Sequence, residues 1–288
     1  MKNFAYLFIL LLFACQPKQN ETTDLVSVSI LPQKYFTDRI SGGLLQVNVL
    51  VPPGASPHDY SVLPSQMKAL SKSKVWLQIG LLSFEEVWND KFADMNKDLR
   101  IVNCSEGIDP IAGSDEHETE DPEHDHGGGI DPHIWLAPND AKILAKNTLI
   151  ALKSGFPEHA EAFEKNFIQL TAEMDSLSNE IEQELASMPN RSFLIFHPTL
   201  GYFARQFQLE QIPLELDGKE PSPRHMKDIV DVARRKNIHT ILIQKEFDTE
   251  NALQLSREIE GKVVVIDPLD YDWEKQIREI SQNIAARK

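Results

Sequence analysis

Three histidines and one aspartate of this chain stand where side chains of different segments can meet. His197 and Asp267 each directly follow a run of apolar residues, His58 lies in a turn-rich segment after such a run, and His133 follows a group of glycines. Taken singly, each is an ordinary surface or hydrogen-bonded residue. In open α/β sheets, ligand sites lie beyond the carboxyl ends of the strands, so we expect these side chains to converge there.

The donor atoms of these side chains indicate which ligand they would bind. Neutral imidazole nitrogens with one carboxylate suit a borderline-soft divalent ion in a compact site, which favours zinc. Calcium and magnesium prefer shells made of oxygen atoms alone. We therefore predict a zinc site with His58, His133, His197 and Asp267 as its ligands, and we predict no catalytic residues.

Short β-branched runs alternate with helical patterns along the chain, which is typical of βαβ units and parallel sheets. In the first half the runs are residues 26–30, 47–51, 75–79 and 100–103. In the second half they are residues 193–196, 211–215, 240–243 and 263–266. We predict an α/β fold of two lobes, residues 25–156 and 190–288, each with a parallel sheet of about four strands.

One long linking helix is predicted between the lobes, at residues 157–189. Apolar residues recur every three or four positions from Phe163 to Leu185, and prolines stand near both ends. This spacing predicts a helix of about seven turns that joins the lobes as a rigid strut; a free coiled-coil dimer is the alternative. Each lobe then contributes two candidate ligands, and the ion lies in the cleft between the lobes.

An acidic segment interrupts the first lobe at residues 114–129, which read SDEHETEDPEHDHGGG. It carries His117, His124 and His126 among many carboxylates and has no apolar residue to anchor it. We predict a mobile surface loop that binds cations loosely and serves as an auxiliary capture loop. A solvated acidic loop without this role is the alternative.

The N-terminus predicts export and a lipid anchor. An apolar run at residues 4–13 has the length of a signal-peptide core and is shorter than the about 20 residues of a spanning helix. The run leads into Leu12-Phe13-Ala14-Cys15, which resembles the bacterial lipobox and implies lipidation of Cys15. Residues 1–15 are then the signal segment and residues 16–24 a tether. We expect a periplasmic or outer-surface protein; secretion after cleavage nearby is the alternative.

Composition argues against two broad classes of protein. The formal net charge is −15, whereas a protein that binds nucleic acid needs a basic surface to neutralise phosphates. Hydrophobic residues make up 41% of the 288 residues, which is enough to build packed cores and excludes disorder over most of the chain.

Four motifs occur in order along the chain, with the long helix between the second and the third. They are GASPHDY at residues 54–60, DPHIWLAP at 131–138, FHPTLGYFARQF at 196–207 and VVVIDPL at 263–269. This ordered set resembles the zinc and manganese binding proteins of metal ABC transporters.

The resemblance implies two α/β lobes, a linking helix and a buried metal at the positions of His58, His133, His197 and Asp267. It also implies an ABC permease and its cytoplasmic ATPase as partners, with the receptor a monomer. Manganese-preferring members usually have a carboxylate where His197 stands, so the resemblance implies Zn²⁺, with Mn²⁺ as the alternative. Zinc members carry an acidic His loop before the second motif as well.

The chain departs from the family pattern at two places that bear on the ligands. Pro57 replaces the Glu that some zinc members have before the first His, and His197-Pro198-Thr199 replaces the frequent His-Asp-Ala. The segment that follows Asp267 also looks shorter than usual. Carboxylates that compete with Asp267 as the fourth ligand are Glu215, Glu220 and Glu246.

Two other functional classes, a zinc enzyme and an adhesin, are alternatives to a metal receptor. Three imidazoles and a carboxylate can hold a catalytic zinc with an open position for water, but the chain has no H-E-x-x-H and no Glu placed as an obvious general base. An adhesin that binds a host or matrix partner is the other alternative, but the sequence forms no evident adhesive patch for such a partner. We therefore expect no enzymatic activity.

Overall fold

Two four-stranded parallel sheets form the framework of the computed structural model, which describes residues 24–58, 60–113, 129–215 and 221–286. The first sheet has the order β2-β1-β3-β4 and consists of β1 (Leu25–Val28), β2 (Gln46–Val49), β3 (Val75–Gln78) and β4 (Arg100–Asn103). The second has the order β6-β5-β7-β8 and consists of β5 (Ser192–Ile195), β6 (Glu210–Pro213), β7 (Thr240–Gln244) and β8 (Lys262–Ile266). The predicted α/β fold is confirmed, and each of the eight predicted runs coincides or overlaps with a strand.

The central strands of both sheets are apolar because helices cover both of their faces. All residues of β3 and β5 are buried, whereas residues of β2 and β4 at the sheet edges are partly exposed. A parallel sheet covered on both sides is built from such nearly continuous hydrophobic runs. Polar residues therefore occur more often in the edge strands β2 and β4 than in the central strands.

The strand order places a crevice at the same point in each sheet. In both sheets the chain passes from an inner strand to one edge and then crosses back to the other side of that inner strand. The crevice therefore lies between β1 and β3 in one sheet and between β5 and β7 in the other, at their carboxyl ends. His197 follows β5, and Glu246 follows β7.

Nine α-helices connect the strands within the described ranges, together with short 3-10 turns at Ile134–Leu136 and Pro157–His159. The helices are α1 (Leu31–Ser41), α2 (Pro64–Leu70), α3 (Ser83–Met95), α4 (Pro138–Gly155), α5 (Ala160–Ala186), α6 (Gly201–Phe207), α7 (Pro223–Lys236), α8 (Glu250–Glu258) and α9 (Trp273–Ala285). In this part of the chain, no helix has both the length and the apolar character needed to cross a bilayer.

Helix α5 is the predicted long helix, and it is preceded by the 3-10 turn at Pro157–His159. Its 27 residues correspond to about 40 Å, and its apolar stripe is buried against α1, α4 and α9. The buried residues of the stripe are Phe163, Leu170, Met174, Leu177, Ile181 and Leu185. The helix is thus part of the core as well as a connection.

One continuous hydrophobic cluster links the two halves of the molecule. It includes apolar residues of both sheets, the buried stripe of α5 and apolar residues of α9. Trp273 at the start of α9 packs on Phe36 of α1, with ring centroids 5.1 Å apart. Helix α9 therefore contacts α1, which limits independent movement of the two sheets.

We predict that truncating one side chain in the buried apolar stripe of α5 destabilises the whole molecule. Leu177 is 1% exposed, so Leu177→Ala removes buried methyl groups and should lower the free energy of unfolding by about 2–5 kcal/mol. Ile168 on the same helix is 62% exposed, so Ile168→Ala should change it by less than about 0.5 kcal/mol. Urea unfolding followed by circular dichroism measures both. Equal effects would show that the stripe does not stabilise the fold.

Candidate metal centre

His133 is held by the residue two positions before it. The Asp131 Oδ1 lies 2.7 Å from Nδ1 of the His133 ring and also accepts the His133 backbone N–H at 2.9 Å. The residue is only 5% exposed, so this bond orients the ring firmly. With Nδ1 bonded to a carboxylate, Nε2 is the nitrogen that remains for a metal.

Asp131 itself is positioned by the other half of the chain. Tyr202 on α6 donates its hydroxyl to the Asp131 backbone oxygen at 2.8 Å. A Cβ on Gly201 would lie 2.7 Å from the Asp131 Oδ2, so a glycine at the start of α6 lets the carboxylate approach this closely. The orientation of His133 therefore depends on the packing of α6 against the first lobe.

His197 is oriented by a second carboxylate and by a glutamine. Its Nδ1 lies 2.6 Å from the Glu215 Oε2, which again leaves Nε2 for a ligand. Gln244 at the end of β7 donates to the His197 backbone oxygen at 2.7 Å and accepts its N–H at 3.3 Å. The ring of Phe247 packs beside that of His197, with centroids 5.5 Å apart. His197 is thus tied to both neighbouring strands of its sheet.

His58 is less constrained than the other two histidines. Part of the residue is exposed, but its ring lies against the other two imidazoles, and in the described part of the chain no carboxylate bonds to that ring. Its ring nevertheless faces those of His133 and His197 at centroid distances of 5.2 and 5.4 Å. Loss of solvent around the ring, with repulsion from these two histidines, lowers the pKa of His58 to about 3 although Asp131 opposes the shift. The imidazole of His58 is therefore neutral at neutral pH.

The three rings form a group that matches the coordination of one ion. One ligand atom from each of His58, His133 and His197 lies within 4.8 Å of the others. Around a tetrahedral zinc with Zn–N distances of about 2.1 Å, nitrogen atoms lie about 3.4 Å apart. The separations of the three nitrogens, at most 4.8 Å, exceed this value by no more than about 1.4 Å.

The cavity around the rings is small and lies between the two sheets. Its volume is about 50 Å³, far below the several hundred Å³ of sites for organic ligands. The loops that follow β2, β4, β5, β7 and β8 all contribute to it. The lining residues are Ser56, Pro57, His58, His133, Trp135, His197, Thr199, Gln244, Glu246, Phe247, Pro268 and Leu269. This space suits a single ion.

Asp267, the predicted fourth ligand, is not brought into this group. Its carboxylate forms an ion pair with Lys245 and accepts the backbone N–H of Leu269 at 3.1 Å. The turn at the end of β8 directs the side chain to these partners, while Pro268 and Leu269 line the cavity. A ligand role for Asp267 stays a prediction.

Of the competing carboxylates, Glu215 orients His197 and Glu246 lines the cavity. Burial raises the pKa of the Glu246 carboxyl, and the nearby Asp267 carboxylate adds to the rise. Glu220 lies outside the described residues. The same is true of the lipidation candidate Cys15 and of the predicted capture residues His117, His124 and His126.

Sequence reasoning missed the residues that hold the rings in place. Asp131 stands two positions before His133, a spacing at which an aspartate commonly bonds the following backbone, so a local signal was present. Gln244 and Phe247 gave no such signal, because both reach His197 from a strand that is distant in the chain.

Comparison with known proteins is consistent with this geometry. Residues 26–286 match the model of one protein family. Its description is "ZnuA: Zinc-uptake complex component A periplasmic". The crystal structure of a ZnuA protein shares 35% sequence identity with this chain, covers 91% of it and 97% of its own chain, and superposes with a TM-score of 0.81. A ZnuA deletion mutant with zinc bound is 34% identical, covers 92% and 99%, and has a TM-score of 0.82.

The amino-acid sequence is also similar to that of a zinc uptake protein from Bacillus subtilis. The high-affinity zinc uptake system protein ZnuA of Bacillus subtilis is 27% identical over 251 residues, which are 85% of this chain and 78% of that protein. The family match over residues 26–286, with the 35% identity to a solved ZnuA structure, shows that this chain belongs to the ZnuA family of periplasmic zinc-uptake components.

Proposed function

We propose that this chain captures one zinc ion between its lobes, at His58, His133 and His197, and delivers it to the permease of an ABC transporter. The observation that carries the proposal is the convergence of one ligand atom from each imidazole within 4.8 Å. Three nitrogen donors favour zinc over manganese, which prefers oxygen ligands. The ion is cargo, and no catalytic step is assigned to the site.

Capture draws on rings that are already arranged for the ion. Asp131 and Glu215 hold the Nδ1 atoms of His133 and His197, so little ordering is needed when zinc arrives. Binding requires unprotonated imidazole, and the low pKa of His58 means that this ring has no proton to lose at neutral pH. These features support tight binding at low zinc concentration.

Release requires a distortion of the loops, because the lobes are tied together. The Trp135 Nε1 donates to the Pro268 oxygen at 2.8 Å, and the Trp273 Nε1 donates to the Trp135 oxygen at 2.6 Å. These bonds, with helix α5, oppose wide opening of the cleft. We therefore propose that docking onto a permease, driven by a cytoplasmic ATPase, shifts the loops enough to release zinc.

The family is extracytoplasmic, and we propose that lipidation of Cys15 attaches this member to a membrane. This anchor rests on the lipobox-like sequence at residues 12–15. It would keep the receptor close to its permease and leave the two lobes free to collect zinc.

Removal of any one imidazole should abolish tight binding of zinc. The variants His58→Ala, His133→Ala and His197→Ala each remove a nitrogen donor, so we expect zinc retention to fall from one ion per chain towards none. Metal analysis after dialysis, followed by competition between zinc and manganese for the wild-type chain, measures retention and preference.

A matched control separates this site from other histidines of the chain. His239→Ala removes a histidine outside the cleft, whose ring nitrogens lie against the Ile259 backbone oxygen and the Asn237 Oδ1, and should leave the single zinc in place. Unchanged zinc content in all three cleft variants, or loss only in the control, would contradict the proposal.

Loss of an orienting carboxylate should weaken zinc binding without removing a ligand. Asp131→Asn and Glu215→Gln keep the shape of each side chain but remove the charge bonded to Nδ1, so we expect zinc affinity to fall by about tenfold to hundredfold. Chelator competition measures the affinity, and urea unfolding of the metal-free variants shows whether the fold is retained. Asp94→Asn, at an exposed surface ion pair, serves as the control and should not change the affinity. An unchanged affinity in both site variants would rule out the orienting role.

A further inference from the structure

Helix α6 of the second lobe is docked onto the first lobe beside the metal centre. The Tyr202 hydroxyl donates to the Asp131 backbone oxygen at 2.8 Å and accepts the Ile111 backbone N–H at 3.2 Å. Asp131 and Ile111 are themselves joined, since the Asp131 N–H donates to the Ile111 oxygen at 2.9 Å. Tyr202 is fully buried, so solvent does not compete with its hydroxyl for these two partners.

Arg205, about one turn further along α6, strengthens this docking. Its guanidinium lies over the Tyr202 ring, 4.9 Å from the centroid. It also donates to the Asp109 backbone oxygen at 2.8 Å and to the Asp140 carboxylate at 3.1 Å. Asp109 and Asp140 both belong to the first lobe. Two side chains of one short helix therefore attach the second lobe to several points of the first.

The same helix connects candidate ligands of the two lobes. It begins shortly after His197, and the intervening Thr199 is fixed by a bond from the Gln244 side chain at 2.9 Å. On the first lobe, the Asp131 carboxylate that lies under α6 holds Nδ1 of His133 at 2.7 Å. The rings of His133 and His197 have centroids 5.7 Å apart, and this separation therefore depends on where α6 docks.

A glycine stands at the closest point of the contact. A Cβ on Gly201 would lie 2.7 Å from the Asp131 Oδ2 and 3.8 Å from the Ile111 Cδ1. The first distance is too short for atoms that are not bonded, so a methyl group here must displace the carboxylate or the helix. The other oxygen of that carboxylate is the one bonded to His133. The close approach of α6 is thus coupled to the orientation of a candidate ligand.

We propose that the docking of α6 sets the separation of His133 and His197 for zinc capture; this inference rests on the proposed function. The first two residues of the helix are its positioning residues. Tyr202 fixes the backbone of Asp131, and Gly201 leaves room for the carboxylate that holds His133. Zinc holds nitrogen ligands about 3.4 Å apart, so a displacement of α6 by about 1 Å disrupts the arrangement.

Two substitutions disturb the contact in different ways. Tyr202→Phe removes the hydroxyl and keeps the ring, whereas Gly201→Ala adds a methyl group and removes no hydrogen bond. Loss of a group that orients a metal ligand costs about tenfold to hundredfold in affinity, and these residues act one step further from the ion. We therefore expect each substitution to lower zinc affinity by about threefold to tenfold, as measured by chelator competition.

Tyr271→Phe is the matched control for a general attachment between the lobes. The Tyr271 hydroxyl donates to the Asp38 Oδ2 at 2.9 Å, so this substitution also removes a hydrogen bond between the lobes, but one that involves neither Asp131 nor a histidine. Its zinc affinity should stay within about twofold of wild type. A loss equal to that of Tyr202→Phe would show that any attachment between the lobes has this effect and would overturn the positioning role.

A spectroscopic measurement separates the arrangement of the ligands from the stability of the fold. In cobalt-substituted protein, Tyr202→Phe and Gly201→Ala should shift the visible absorption bands, while Tyr271→Phe keeps those of the wild-type chain. Urea unfolding of the metal-free variants identifies any loss of fold, which by itself does not move the bands of the folded fraction.

The inference and the proposed function fail in different ways. Wild-type affinity and bands in both Tyr202→Phe and Gly201→Ala would overturn the role of α6 and leave the proposed function intact. Absence of stoichiometric zinc in the wild-type chain would overturn the proposed function itself.

Discussion

The hydrogen bonds from two imidazole Nδ1 atoms to carboxylates are the interactions on which the site depends. A histidine can present either ring nitrogen, and the bonds of His133 to Asp131 and of His197 to Glu215 select Nε2 as the free one in each ring. Both carboxylates are buried, so the rings are held in an environment where these bonds are strong. His58 approaches them as a neutral ring from a turn. The chemistry of the cleft follows from this fixed orientation.

The stiffness of the surrounding structure keeps that orientation without a bound ion. Core residues run continuously from the first sheet through α5 to α9, and two tryptophan indoles bond across the halves at Trp135 and Trp273. A site that is already arranged loses little conformational freedom on binding, which favours affinity. The same stiffness means that the bound ion leaves only when something displaces the loops. Tight capture and dependence on a docking partner thus have one physical origin.

The fold and the convergence of the three imidazoles could be predicted from local patterns, but the partners of the nearby carboxylates could not. Short β-branched runs identified all eight strands, and the regular spacing from Phe163 to Leu185 identified helix α5. The rule that ligand sites lie at strand carboxyl ends then placed the histidines together. It did not distinguish Asp267 from Glu246, since both follow strands of the same sheet. Their difference depends on whether Lys245 and a turn already engage the carboxylate.

The sequence by itself determined the secondary structure and the donor types of the site, because helix and strand periodicity and the positions of polar residues after apolar runs are local properties. Only the tertiary structure decided which ring nitrogens face the cleft and which carboxylates orient them. Asp131 depends on Gly201 and Tyr202, and His197 on Gln244, across long separations in the chain. Such contacts arise from packing between segments, so no local pattern in the chain records them.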